Sequence, residues 1–189
     1  MSKSILMAGV GGQGTILMSK ILSEGLVRSG YDVKMCEIHG MAQRGGSVTT
    51  QIKYGDAVHS TCVDIDEADV LVAFEKAEAV RYLPHLKKDG ILIVNDHEIY
   101  SLPVLTGACS YPAGLDDYLR RTVPQAHIFD ASGAAARLGN AKAQNMVLMG
   151  MTVHALGLEA LDWHDMICRF VPEKLQELNI RAFDTGLAV

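Results

Sequence analysis

A chain of 189 residues that is 49% hydrophobic and 21% charged, with a net charge of −5, has the makeup of one globular domain that can bury a core without disulfide staples. The acid excess argues against a nucleic-acid binder, since the longest basic runs are Arg120-Arg121 and Lys87-Lys88 and phosphate binding needs a basic stripe. No apolar stretch approaches the ~18 residues of a membrane span, and the short run Ile5 to Val10 passes straight into glycines, unlike a secretory leader. Cys36, Cys62, Cys109 and Cys168 are far apart in the chain, so no iron–sulfur or zinc spacing exists. They read as lone buried thiols of a reducing, cytoplasmic protein.

In chain order, Ser4 to Ala8 reads as a buried parallel strand. The loop Gly9-Val10-Gly11-Gly12-Gln13-Gly14 follows, and then a helix whose apolar positions run from Ile16 to Val27 and which Gly30 ends. Val33 to Ile38 is the next strand, completing a strand–helix–strand unit. After the loop His39 to Gly46, Val48, Thr50, Ile52 and Tyr54 alternate with polar residues as in a half-buried strand. Gly55-Asp56 reads as a turn into a second run, Val58 to Val63, so a β-hairpin is expected after the second strand. Further strands are predicted at 70–74, 91–95, 104–109 and 127–130. Helices are predicted at 76–86 (re-starting at Pro84), 115–122, 131–138, 142–158 and from Pro172 onward. The pattern is that of a single α/β, Rossmann-like domain over residues 1–189, a mostly parallel sheet with helices on both faces.

Gly9, Gly11 and Gly14 satisfy G-x-G-x-x-G between a strand and a helix. Unpaired N–H groups at a helix start, together with the helix dipole, favour an anion there, and glycines let a phosphate approach the backbone. The alternative is that the glycines serve only helix–sheet packing. Glu37 stands where a dinucleotide-binding domain wants a ribose-holding acid. The Gly12-Gln13 pair and the crowded His39 to Gly46 loop count against a self-sufficient NAD(P) dehydrogenase. A non-enzymatic nucleotide-binding module is the other alternative. Arg44 could pair bidentately with a phosphate or carboxylate, or form a structural salt bridge with Glu37.

Both loops together, Gly9-Val10-Gly11-Gly12-Gln13-Gly14 and Glu37-Ile38-His39-Gly40-Met41-Ala42-Gln43-Arg44-Gly45-Gly46-Ser47-Val48, closely resemble the gamma-type domain of the 2-oxoacid:ferredoxin oxidoreductases. Asp66 to Ala73 and Lys142 to Gly150, with Asn145 ahead of an apolar run, agree with that resemblance, which covers nearly the whole chain. His39 to Gly46, in a separate short chain, is most similar to the beta subunits of indolepyruvate ferredoxin oxidoreductases.

The resemblance implies a small subunit of a complex that decarboxylates an arylpyruvate to an acyl-CoA, using coenzyme A and passing electrons to ferredoxin. It further implies that a large alpha subunit carries thiamine diphosphate, magnesium and 4Fe–4S clusters, and that the small chain is inactive alone. In isolation the chain is expected to be able to pair with a second copy through the surface meant for its partner. Independently of the resemblance, the chain has no clustered cysteines. Its nearest approach to a magnesium-binding Gly-Asp-Gly is Gly55-Asp56-Ala57. The cofactor-binding set expected on this chain is Gly9, Gly11, Gly12, Gln13, Gly14, His39, Arg44, Gly45, Gly46 and Asn145, with coenzyme A as the candidate ligand and no metal.

Other candidates read as structural. His97 belongs to a solvated turn. Asp64, Asp66, Glu67 and Asp69 belong to a capped turn. Met146, Met149 and Met151 are either core or partner-facing. No arrangement for hydrolase chemistry is present.

Overall fold

The computed structural model describes residues 2–40 and 45–189. The strand β1 (Lys3–Val10) is buried on both sides from Ser4 to Gly9 because helices cover both faces of the sheet. The helix α1 (Thr15–Arg28) starts at Gly14, whose φ of 87° places it in the left-handed region, and ends where Gly30 N–H donates to the Val27 carbonyl. The strand β2 (Asp32–His39) then runs in the same direction as β1, and β3 (Ser47–Gly55) returns antiparallel between them. The strands β4 (Ala68–Ala73), β5 (Leu86–Asn95) and β6 (Ala126–Phe129) extend the sheet in parallel, giving the order β2-β3-β1-β4-β5-β6. The α/β class and the mostly parallel sheet follow the sequence reading.

The expected hairpin is corrected. Val48 to Tyr54 is a strand, but residues 58–63 are not. Both edges of β3 are already occupied by β1 and β2, so no ladder is left for a following strand. Instead the 58–63 segment crosses one face, tied by Val58 N–H to Asp32 Oδ2 and Val63 N–H to Gln51 Oε1, with Val58 and Val63 buried.

Beyond β4 come α2 (Lys76–Tyr82) and a 3₁₀ turn at Leu83–His85 containing Pro84. The strand expected at 104–109 is replaced by a four-residue helix, α3 (Leu102–Leu105), and irregular chain. Pro103 has no N–H for a ladder, and β6 already occupies the outer side of β5. Then follow α4 (Leu115–Thr122), α5 (Ala131–Arg137) and α6 (Gln144–Leu156). The helix α7 (Trp163–Phe170) was not foreseen, although Asp162 caps it by accepting from Asp165 N–H. The chain closes with α8 (Glu173–Leu187), with Pro172 at the cap position rather than the first turn.

One core lies between the sheet and α1, α5, α6, α7 and α8, and a smaller one lies on the opposite face under α2 and α4. Met146, Met149 and Met151 are buried in the first, so they are core residues. The cysteines depart from expectation: Cys62 and Cys109 are exposed, and Cys36 and Cys168 are partly so. No helix among the described residues is long and apolar enough to cross a membrane.

Candidate functional site

The C-terminal ends of the parallel strands deliver the glycine loop, Glu75, Asn95 and Asp130 to one sheet edge, where ligands of α/β domains bind. The two loops singled out in the sequence meet there: Gly11 N–H donates to the Gly46 carbonyl at 2.9 Å. Between them and α1 lies a cleft of about 560 Å³, lined by Gly11, Gly12, Gly14, Thr15, Ile16, Leu17, Lys20, His39 and Val48. The N–H groups of Thr15, Ile16 and Leu17 belong to the first turn of α1, where helical geometry supplies no backbone partner. The cleft therefore combines a helix start, an ammonium and an imidazole against an apolar wall.

A smaller hollow of about 270 Å³ lies on the other side of the helix start. It shares Gly12, Gly14 and Leu17 with the cleft and adds Lys142 and Asn140. Gly12, with φ of 105° and open space where a Cβ would stand, belongs to both walls. An anion seated at this backbone would find a lysine in the wall of either hollow.

The predicted residues divide into two groups. Gly11, Gly12, Gly14 and His39 line the cleft. The buried Gln13 is committed to the frame: its Oε1 accepts from Val10 N–H at 2.7 Å and its Nε2 donates to the Phe74 carbonyl at 2.8 Å. Gly9 makes room for this, since a Cβ there would stand 2.9 Å from Gln13 Oε1. Asn145, also buried, donates to the Gly14 carbonyl at 3.3 Å and accepts from Met146 N–H. It reaches the smaller hollow rather than the cleft. Gly46 supplies the carbonyl that joins the loops, and Gly45 is exposed with φ of 75°. Arg44, together with Met41, Ala42 and Gln43, lies outside the described residues.

A residue not foreseen is Lys20, one helical turn beyond Ile16 on the same face of α1. Its one sequence signal is the i, i+4 spacing from Ile16, itself beyond the end of the glycine loop at Gly14. Asn95 was also missed. Fully buried, it holds its Nδ2 within hydrogen-bonding distance of the Phe74 carbonyl, Ser132 Oγ and Gln144 Oε1, and its Oδ1 accepts from the N–H groups of Ala131 and Ser132, fixing the ends of three elements. Ser47, at the start of β3, donates to the buried Glu78 at 2.5 Å, anchoring the second loop from the opposite face.

The residues do not fit a metal cluster. The four thiols lie on β2, in the 56–67 segment, after α3 and on α7. Among the described residues no group of three or more His, Cys, Asp and Glu side chains is disposed to hold a metal ion.

Fold and cleft together define an α/β domain in which a glycine loop and a helix start open onto one cleft at the ends of the parallel strands. The chain belongs to the pyruvate ferredoxin/flavodoxin oxidoreductase family, whose model matches residues 4–189. It is 36% identical to indolepyruvate oxidoreductase subunit IorB of Pyrococcus horikoshii, over 97% of this chain and 94% of that one. Among solved structures, the gamma subunit of a keto/oxoacid ferredoxin oxidoreductase from Geobacter sulfurreducens has a TM-score of 0.72 at 24% identity, over 100% of this chain and 95% of that one. The 2-oxoglutarate:ferredoxin oxidoreductase of Magnetococcus marinus, solved with 2-oxoglutarate, coenzyme A and succinyl-CoA, has a TM-score of 0.77 at 18% identity. That match covers 99% of this chain but 30% of the other.

Proposed function

We propose that this chain is the small subunit of an indolepyruvate-type 2-oxoacid:ferredoxin oxidoreductase and works in the cytoplasm with a large subunit. The observation that carries the reading is the end-to-end match to IorB, 36% over almost the full length of both chains. In this reading the large subunit holds thiamine diphosphate, magnesium and 4Fe–4S clusters, and electrons leave the complex to ferredoxin. The small chain is inactive by itself, because it brings neither an electron sink nor clustered thiolates.

The cleft beside the glycine loop holds the phosphate-bearing part of coenzyme A. The N–H groups at the start of α1 and the Lys20 ammonium neutralise phosphate charge, and Ile16 and Val48 offer apolar contact. Lys20 is solvent-exposed, so its contribution is screened and smaller than that of a buried pair. Replacing Lys20 with alanine in the assembled enzyme is expected to raise the KM for coenzyme A several-fold, with kcat and the KM for the 2-oxoacid unchanged. Such a split marks lost uniform binding. An unchanged KM for coenzyme A would remove the ligand assignment while leaving the subunit reading intact.

A further inference from the structure

We infer that the segment between β5 and α4, residues 99–111, is the seat on which the large subunit docks, and that the matching surface there is an apolar hollow rimmed by lysine or arginine. The inference rests on the subunit reading above.

The segment shows apolar side chains to solvent that a lone domain has no use for. Tyr100, Leu102 and Leu105 are 49%, 72% and 68% exposed, and α3 contributes no buried residue. Apolar side chains grouped in one short exposed segment mark a binding surface more often than apolar residues scattered singly.

The segment is also held in place at both ends. The carboxylate of Glu75, almost fully buried, accepts from Ile99 N–H at 3.3 Å at one end and from the Tyr111 hydroxyl at the other. Burial, then the Glu75 carboxylate, push the Tyr111 hydroxyl far above the ordinary tyrosine range, so it remains a donor. Its ring lies 5.4 Å from that of Tyr100. Within the span, Leu105 N–H bonds to Ser101 O, Thr106 N–H to Leu102 O and Ala108 N–H to Pro103 O. The leucines are thus presented by a loop whose neck is clamped to the core, which reduces the ordering cost of binding.

Charge and chain organisation point to the occupant. At the foot of the loop, Asp96, Glu98 and Asp116 share the single Lys76 ammonium at 2.9, 3.0 and 3.3 Å, and Asp117 stands beside them. Burial opposes the charge on Lys76, but the three carboxylates outweigh it and raise its pKa above the ordinary lysine range. Four carboxylates to one ammonium leave an acidic rim, which fits a basic one. In the Magnetococcus marinus enzyme the same fold occupies 30% of a longer chain, whereas in the subunit reading above it forms a subunit of its own, as in IorB, 94% of which the match covers. A non-covalent seat must do what chain continuity does there.

The test is co-expression of the tagged small chain with the large subunit of the same complex, reading the large subunit recovered per small subunit. A Leu102→Glu/Leu105→Glu double variant is expected to lower that ratio at least tenfold, while the isolated variant melts with the unmodified chain because neither side chain is in the core. An Ile65→Glu variant, equally exposed but elsewhere, is expected to leave the ratio unchanged. Should the double variant melt lower, Asp117→Lys provides the second reading: slower assembly at low salt that converges with the unmodified chain at high salt. Recovery that persists in the double variant, equal losses in the Ile65→Glu control, or salt-independent assembly of Asp117→Lys would each overturn the docking assignment alone. Failure of the unmodified chain to bring down the large subunit would overturn the subunit reading and the docking assignment with it.

Discussion

Gly150→Ala is expected to lower the unfolding free energy by about 2–3 kcal/mol, although helix propensity alone predicts a gain of about 1 kcal/mol. A Cβ at Gly150 would stand 2.1 Å from the Phe183 carbonyl oxygen and 2.7 Å from Leu187 N, and one at Gly186 would stand 1.9 Å from the Val147 carbonyl oxygen. These neighbours are backbone atoms, so no side chain can swing aside. The helices α6 and α8 touch backbone to backbone through two facing glycines, and a methyl group can enter only if they separate. The helix α6 cannot retreat, because residues Asn145 to Val153 are buried and most of its apolar side chains belong to the large core. Instead α8 must lift away and uncover Ala182 and Phe183, both buried. Overpacking typically costs about 1–3 kcal/mol and more where only backbone faces the new group; a cost of about 3–4 kcal/mol here leaves the net loss of about 2–3 kcal/mol once the propensity gain of about 1 kcal/mol is subtracted. For a domain of this size the expected loss corresponds to a Tm lower by roughly 4–12 °C. Gly150→Val is expected to lose more than Gly150→Ala. A Gly150→Ala variant that melts at or above the unmodified protein would show that the two helices are not in close contact.

The parts of the fold that were legible in the sequence are those specified locally. β1 and α1 were readable because a doubly buried apolar run passes through glycines into a helical repeat, and the left-handed Gly14 and Gly30 stand where such a helix begins and ends. The position of β3 was not readable. Val48 to Tyr54 has a strand's alternation, but alternation does not say which neighbours take its two edges, and a strand on either side leaves nothing for residues 58–63. The run 104–109 was apolar enough for a strand, yet Leu105 faces solvent, and an outward-facing apolar residue looks the same in sequence as a buried one. α7 was overlooked although its signal was local: Asp162 as cap, then Trp163, Met166 and Ile167 at helical spacing. For the candidate site, the sequence placed Gly11, Gly12, Gly14 and His39 where they line the cleft, because loop chemistry is written in consecutive residues. Lys20 becomes part of the cleft only once α1 is laid beside β3, a tertiary fact. The roles of Gln13 and Asn145 were hidden for the same reason, since their partners are the backbone atoms of Phe74 and Gly14.

Gln13→Glu is expected to convert the support of the glycine loop into a pH-dependent one. The unmodified amide suits its place because one end accepts from Val10 N–H and the other donates to the Phe74 carbonyl. A glutamate keeps the acceptor but turns a second oxygen toward a carbonyl, and at this buried position only the protonated acid can donate there. Its folded-state pKa therefore rises above its unfolded value. Below the ordinary glutamate range both states hold the proton and the variant approaches the unmodified protein. Above that range the unfolded chain releases the proton while the folded chain retains it, so stability falls with rising pH. The slope is about 1.4 kcal/mol per pH unit until the folded carboxyl itself ionises. By about pH 8 the deficit is expected to reach several kcal/mol, more than the ~2–3 kcal/mol that Gln13→Leu should cost by leaving Val10 N–H without its partner. Urea unfolding of the variant and the unmodified chain between about pH 5 and about pH 8 would measure the difference. A difference that stays flat across that range would mean that Gln13 does not span Val10 and Phe74. If it does span them, the KM for coenzyme A in the assembled complex should climb over the same interval, because the loop that Gln13 pins to the end of β4 forms one wall of the cleft.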